Sequence, residues 1–255
     1  MYKKLLFFFA LAPILSNAQE FKRRQFEYNP TKVDTISMCS EPVLKQLDEA
    51  FSLLEQSKSK NSLEILQTIS PKAADCPEFY EVKGFSLFRN GDWLKGIETI
   101  ETGIEKYGSQ PDLIKRKAEM SLEMGELGIK KQVIDGKIVD NSNLKFDDAQ
   151  FKTENFKSAL TDLEYLAKNF NVDEDYFYIA KIHQILKNYN ESNAILRRLL
   201  ENKDFKDDAR FNLVDNLIQI NQLDEAEKEI NIMIKAFPEE AILKDVLAEI
   251  KEKKK

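Results

Sequence analysis

Between Val43 and Ala241 the apolar residues recur at spacings of three and four, as in helices that bury one face, and the pattern itself repeats every 34 residues. Counting from Pro77 gives one helix, a break at Asn90-Gly91-Asp92, and a second helix. A step of 34 leads to Pro111, with the break recurring at Met124-Gly125-Glu126. A step back leads to Val43, with Ala50, Leu53, Ser62, Leu66 and Ile69 at matching places. A second array on the same period begins at Asp173, repeats at Asp207 and ends at Ala241.

Each place in the unit has a packing role. The eighth residue, where paired helices cross most closely, is small: Ala50, Gly84, Ala118 and Ala180. The twentieth faces it from the second helix, as Ser62, Gly96, Ser192 and Ala226. A large residue opens the second helix at place seventeen: Trp93, Leu127, Tyr189 and Leu223. Place twenty-four is an apolar wedge between neighbours, filled by Leu66, Ile100, Ile134, Leu196 and Ile230. Pro238 stands where its unit must end.

Taken together, these residues resemble the tetratricopeptide repeat family, over about Val43 to Ala241. The resemblance implies an all-α, right-handed solenoid of helix–turn–helix units that binds protein or peptide partners. Its concave groove is lined by the first helix of each unit. The groove places here hold Glu81, Phe85, Phe88 and Arg89, then Lys115, Glu119 and Leu122. The second array supplies Phe177, Lys181, Gln184 and Ile185, then Phe211, Asp215, Ile218 and Gln219. Some family members grip a C-terminal carboxylate with Lys and Asn at the fifth and ninth places. Phe177 with Lys181, and Phe211 with Asp215, stand there instead, so that clamp is absent. Several Phe with few matched charges point to an apolar peptide or helix as ligand; alternatively these rings pack on their own neighbours.

The pattern departs from the family in places. Lys130 and Lys137 replace small or apolar residues, so the second helix of the Pro111 unit is expected to be irregular. Val214 replaces a small residue, and Arg210 takes a usually aromatic place. Asn155 to Phe170 fits a second helix through Ala159, Leu163 and Leu166, whereas Asn141 to Thr153 is polar and reads as a degraded repeat or a loop. Ala241 to Lys255 reads as a capping helix with Ile242, Val246, Leu247 and Ile250 inward. The expected organisation is a leader over 1–18, an extended arm or linker over 19–40, and a first array over 41–139. A degraded repeat or hinge over 140–172 and a second array with its cap over 173–255 complete it.

The leader follows from Lys3-Lys4, the apolar run from Leu5 and the small residues Ser16-Asn17-Ala18, which predict cleavage between Ala18 and Gln19. Its apolar stretch is short for a bilayer span, so a periplasmic or secreted chain without stable membrane insertion is expected, against an uncleaved anchor. Cleavage leaves 36 basic and 44 acidic residues, a balance that argues against nucleic acid. Cys39 and Cys76 are the only cysteines; in an exported chain they predict one disulfide, against two buried thiols.

Catalytic groups are scarce. His183, the sole histidine, falls where Leu53, Leu87 and Leu217 sit in other units, so a packing role is expected. Asp173-Glu174-Asp175 suits the positive end of a helix better than a cation. No phosphate loop or nucleophile elbow occurs. The sequence therefore predicts a non-enzymatic scaffold or adaptor without cofactor, metal or catalytic residue. The alternative is a structural subunit assembled through its convex face or ends.

Overall fold

The computed structural model describes residues 39–140 and 147–255, so the leader, its cut at Ala18–Gln19 and the arm up to residue 38 lie outside the described residues. The described chain forms two compact units: residues 39–116 with 131–140, and residues 117–130 with 147–255.

The first unit holds α1 (Glu41–Glu55), α2 (Ser59–Thr68), α3 (Pro77–Arg89), α4 (Trp93–Tyr107) and the first turns of α5 (Pro111–Leu127). On α1, Val43, Leu47, Ala50, Phe51 and Leu54 form one buried stripe. Pro77 opens α3 at a position with no intrahelical donor to lose. The helices α3 and α4 cross where two glycines meet: a methyl group added at Gly84 would lie 2.9 Å from the Gly96 carbonyl oxygen and 2.7 Å from Ile100 Cδ1. Where α2 packs on α3, the Ser62 and Ser86 hydroxyls lie 2.8 Å apart, and Ser86 Oγ donates onward to the Val82 carbonyl at 2.7 Å.

The 34-residue period is written into the backbone as well. Ser57, Gly91, Lys187 and Asn221, spaced by 34 within each array, all adopt left-handed φ of 58°, 95°, 63° and 58°. The next residue's N–H then donates to the carbonyl five residues back: Lys58 to Leu53, Asp92 to Leu87, Asn188 to His183, and Gln222 to Leu217, at 2.8–2.9 Å. This is the Schellman closure, which satisfies carbonyls at the end of each first helix and turns the chain toward the second.

The third turn departs from that rule. The α5 helix runs to Leu127, and the chain then forms an antiparallel hairpin of β1 (Lys131–Ile134) and β2 (Lys137–Asp140). The irregular second helix expected there, with Ile134 as its wedge, is not formed. Asp135 and Gly136 take φ of 44° and 74°, as a two-residue hairpin turn demands, and Val133 pairs with Ile138. The tip is fastened to the first two helical turns of the unit. Ser59 N–H donates to Asp135 Oδ1 at 2.8 Å, which caps α2, and Asp135 N–H donates to the Arg89 carbonyl at 3.3 Å. Ile134 fills the space beside Gly91, its Cδ1 only 2.8 Å from the point that a Cβ there would occupy.

The second unit holds the rest of α5, α6 (Asp148–Phe170), α7 (Asp173–Ile185), α8 (Tyr189–Leu199), α9 (Lys206–Gln219), α10 (Leu223–Ala236) and α11 (Ala241–Lys253). Asp147 caps α6 by accepting from the N–H groups of Ala149 and Gln150. The partner of α5 is α6, running antiparallel. Gly125 leaves room for Phe156, Ser121 Oγ donates to Ser158 Oγ at 3.5 Å, and Lys117 pairs with Asp162 at 3.3 Å. Ala118 and Ala159 meet the need for small residues, both fully buried. The stretch 128–147, hairpin included, is thus inserted between the two helices of one repeat.

Farther along, Ala180, Leu196, Leu199, Leu213, Leu217, Ala226, Ile230, Val246 and Ile250 belong to one core. Asn216 donates to Ser192 Oγ and Asn193 Oδ1 at 2.8 and 2.9 Å, which ties α9 to α8 in the interior. Arg210, at its unusual place, reaches Glu229 on α10 at 3.1 Å. The cap is rotated from expectation: Leu243 points inward with Val246 and Ile250, and Ile242 is 38% exposed. Ile242 precedes the first buried position of the helix, so burying it would turn Leu243 out. Among the described residues, no helix is long and apolar enough to cross a membrane.

Candidate partner-binding face

The two units use their first-helix positions differently. In the first, Arg116 from α5 places its guanidinium 3.0 Å from Glu81 and 4.3 Å from the centre of the Phe85 ring, with Phe51 at 5.6 Å. Arg89 covers the same Phe85 ring at 4.8 Å and Phe88 at 5.6 Å. Phe85 also stacks on Phe51, and Phe88 on Trp93. Glu81, Phe85, Phe88 and Arg116 are all buried. Phe85 and Phe88, expected to line the groove, therefore belong to the interior; the cations on their faces replace a partner's contacts. Arg89 is half-buried above them.

In the second unit, α7 and α9 present Phe177, Lys181, Gln184 and Ile185 beside Phe211, Asp215 and Gln219. Gln184 Nε2 donates to Asp215 Oδ2 at 2.6 Å, which links the two helices across this face. Phe177 and Phe211 are half-buried with one side on the core, and Phe177 also lies 5.4 Å from Phe205. Ile218 is 8% exposed and fills the core, because it follows Leu217 on the inward stripe of α9; it is not a surface contact. Ile185 is 42% exposed. Of the groove residues expected from sequence, Phe177, Ile185, Phe211 and Asp215 are thus at least partly open to solvent on α7 and α9, and Phe85, Phe88, Lys181 and Ile218 are buried.

The electrostatics of this face come from buried charge. Burial pushes the Lys181 ammonium down, while Glu126 and Asp208 nearby support its charge; its Nζ lies 5.6 Å from the Phe177 ring centre. Burial pushes Glu126 up to about 7, opposed by Lys181 and reinforced by Glu123. Asp215 is raised by burial, against the hydrogen bonds from Gln219 and Gln184, with Glu249 raising it and Lys253 lowering it. Glu126, Asp208, Glu249 and Lys253 were not anticipated from sequence. Glu126 reaches the face because α5 has 17 residues where α3 has 13.

Glu126 makes stability depend on pH in a defined direction. Between the unfolded value of 4.5 and the folded value of about 7, the folded chain keeps a proton that the unfolded chain has released. Stability conferred by that proton is complete below this window and lost as pH rises through it, by on the order of 2 kcal/mol. Urea midpoints of the parent chain should fall between about pH 5 and pH 8, and Glu126→Gln should flatten that slope. Equal slopes in both proteins would refute the assignment.

Cys39 and Cys76 are joined in a disulfide, with Cα atoms 5.2 Å apart. Among the described residues, Cys39, Cys76 and Glu78 bring three donor atoms within 4.8 Å. Bridged sulfurs are not thiolate ligands, so these residues hold each other and not an ion. His183, at its leucine place, is half-buried, 4.0 Å from Glu164 and 3.5 Å from Asn188.

No protein-family model matches the sequence, and no curated protein does. Solved structures do. A tetratricopeptide repeat protein from Parabacteroides merdae ATCC 43184 superposes with a TM-score of 0.57 at 14% identity, covering 84% of this chain and 74% of that one. MamA AMB-1 superposes with a TM-score of 0.54 at 12% identity, covering 78% and 92%. With the repeated Schellman turns and small residues at the helix crossings, these likenesses establish the fold: the chain is built as an all-α tetratricopeptide-type solenoid, with one hairpin inserted in its third repeat.

Proposed function

We propose that this chain is an exported, non-catalytic scaffold that holds protein partners through the α7–α9 face of its second unit. The observation that carries the reading is Ile185, a large apolar side chain 42% exposed on α7, next along the chain to Gln184, which bonds Asp215 of α9. Such an exposed apolar anchor suits burial under another protein. The disulfide and the leader pattern support export. The acidic balance speaks for protein partners over nucleic acid.

A second reading has its own observation. Leu94, on the second helix α4, is 73% exposed, and Tyr165 and Ile232 on other second helices are 40% and 36% exposed. These would serve a structural subunit that assembles through its second-helix surface. A photo-crosslinking residue placed at 185 or at 94 in cells separates the two. Adducts from 185 are expected, and adducts only from 94 would favour the subunit. With the crosslinked partner purified, Ile185→Ser should weaken binding about tenfold without moving the urea midpoint. Undiminished affinity would remove Ile185 from the interface.

A further inference from the structure

We propose that β2 is a docking edge, where an extended segment of a protein partner adds as a third, antiparallel strand. Backbone hydrogen bonds hold it, with a β-branched side chain set opposite Ile138. The hairpin belongs to the first unit, so this edge owes nothing to the α7–α9 face. Its geometry follows from the length of the turn. With only Asp135 and Gly136 in the loop, Ile134 and Lys137 exchange both backbone hydrogen bonds, and Gln132 and Val139 do the same one step on. The N–H and C=O groups of Ile138 and Asp140 therefore point away from β1, and among the described residues no backbone group meets them. All four residues of β2 are exposed, Ile138 at 63% and Val139 at 37%. The edge is also held in place. Asp135 ties the tip to Ser59 of α2 and to the Arg89 carbonyl of α3, so an incoming strand meets a template already formed.

The pairing rules decide what fits. Donors and acceptors carried on every second residue of an edge are matched by the main chain of another strand, whose groups have the same spacing. Ile138 shares a face with Val133, its neighbour across the hairpin, so a β-branched residue opposite Ile138 would extend that apolar row over three strands. A second copy of this chain fits poorly. Overlapping all four residues of two β2 strands sets Ile138 against Val139, and the outward groups of one copy then miss those of the other. Shifting Ile138 against Ile138 leaves Asp140 facing Gly136, which lies in the turn at φ 74°. Shifting Val139 against Val139 sets the apolar Ile138 against the Asp140 carboxylate. A strand of different sequence has none of these conflicts. The edge is also short, which limits uncontrolled strand addition and suits a brief segment of a partner.

The test uses the full chain and the capped peptide acetyl-Thr-Val-Thr-Val-Thr-amide at millimolar concentration, with single amides followed by hydrogen exchange in NMR spectra. The peptide should slow exchange at Ile138 and Asp140 at least about fivefold, while Lys137 and Val139, already bonded to β1, keep their rates. The same peptide with both valines N-methylated cannot bond while a valine faces Ile138, and should bind at least about tenfold more weakly. Ile138→Pro removes an outward N–H and the apolar side chain without removing a bond to β1. It should therefore lose the protection of Asp140 while the Val139 amide, helical circular dichroism and urea midpoint stay as in the parent. Unchanged exchange at Ile138 and Asp140, equal binding of the N-methylated peptide, or full protection of Asp140 in Ile138→Pro overturns the docking edge. Protection that grows with protein concentration and needs no peptide gives the edge to a second copy. Protection already complete in the dilute chain gives it to the chain's own residues. Either result overturns the assignment to a partner.

Discussion

Replacing Arg116 with Met while Glu81 stays in place is expected to destabilise the first unit by about 3–5 kcal/mol, the cost of leaving a buried charge without its counter-ion. The two side chains are each 7% exposed and meet at 3.0 Å, so water cannot take over the role of the missing guanidinium. The same substitution removes the cation lying on Phe85 and near Phe51, which adds lost packing to lost charge. Removing both charges together, as Glu81→Leu with Arg116→Met, should recover most of the loss, because apolar residues of similar volume need no counter-ion. Urea denaturation followed by circular dichroism checks both variants. A single substitution costing less than about 1 kcal/mol would mean the pair is solvated and the first unit's face is open after all.

That pair also marks where the sequence stops being readable. The positions that make the repeat were legible because their causes are local or fall at a fixed spacing. Ala50, Gly84, Ala118 and Ala180 are small because helices must approach there, and all four are buried. Whether Phe85 faces a partner or its own protein is decided by Arg116, some thirty residues away on another helix, and by Arg89 across the ring. No periodicity announces that pairing. The opposite failure befell the hairpin. Val133-Ile134-Asp135-Gly136-Lys137-Ile138-Val139 carries a strong local turn signal, yet the 34-residue count assigns those residues to a helix. The insertion displaces the second helix to α6, where Ala159, Leu163 and Leu166 keep the expected spacing, each buried. Local turn chemistry outweighed the period because Asp-Gly satisfies both left-handed turn positions cheaply, and a helix through Gly136 and two exposed lysines buries little.

Reducing the Cys39–Cys76 bridge is expected to lower the stability of the folded chain by roughly 3–4 kcal/mol in the chain-entropy model, given its sequence separation of 37. The bridge joins the residue two before α1 to the N-cap of α3, so it closes a loop around the whole first helix pair. Both cysteines are buried, at 6% and 2% exposure, and the Glu78 carboxylate lies 3.3 Å from Cys39 Sγ. An incoming reductant thiolate therefore meets a like charge beside a covered sulfur, which should make reduction slow in the folded state. The comparison should accordingly be made at equilibrium, with the double variant Cys39→Ser, Cys76→Ser as the reference. Its urea midpoint should match that of the fully reduced parent, and adding reductant to the variant should change nothing. Glu78→Gln should quicken reduction of the parent, since it removes the repulsion and leaves the burial. Equal midpoints for the oxidised and reduced parent would show that the loop is already restrained in the unfolded chain, and the stabilisation assigned to the bridge would then belong to the helices it connects.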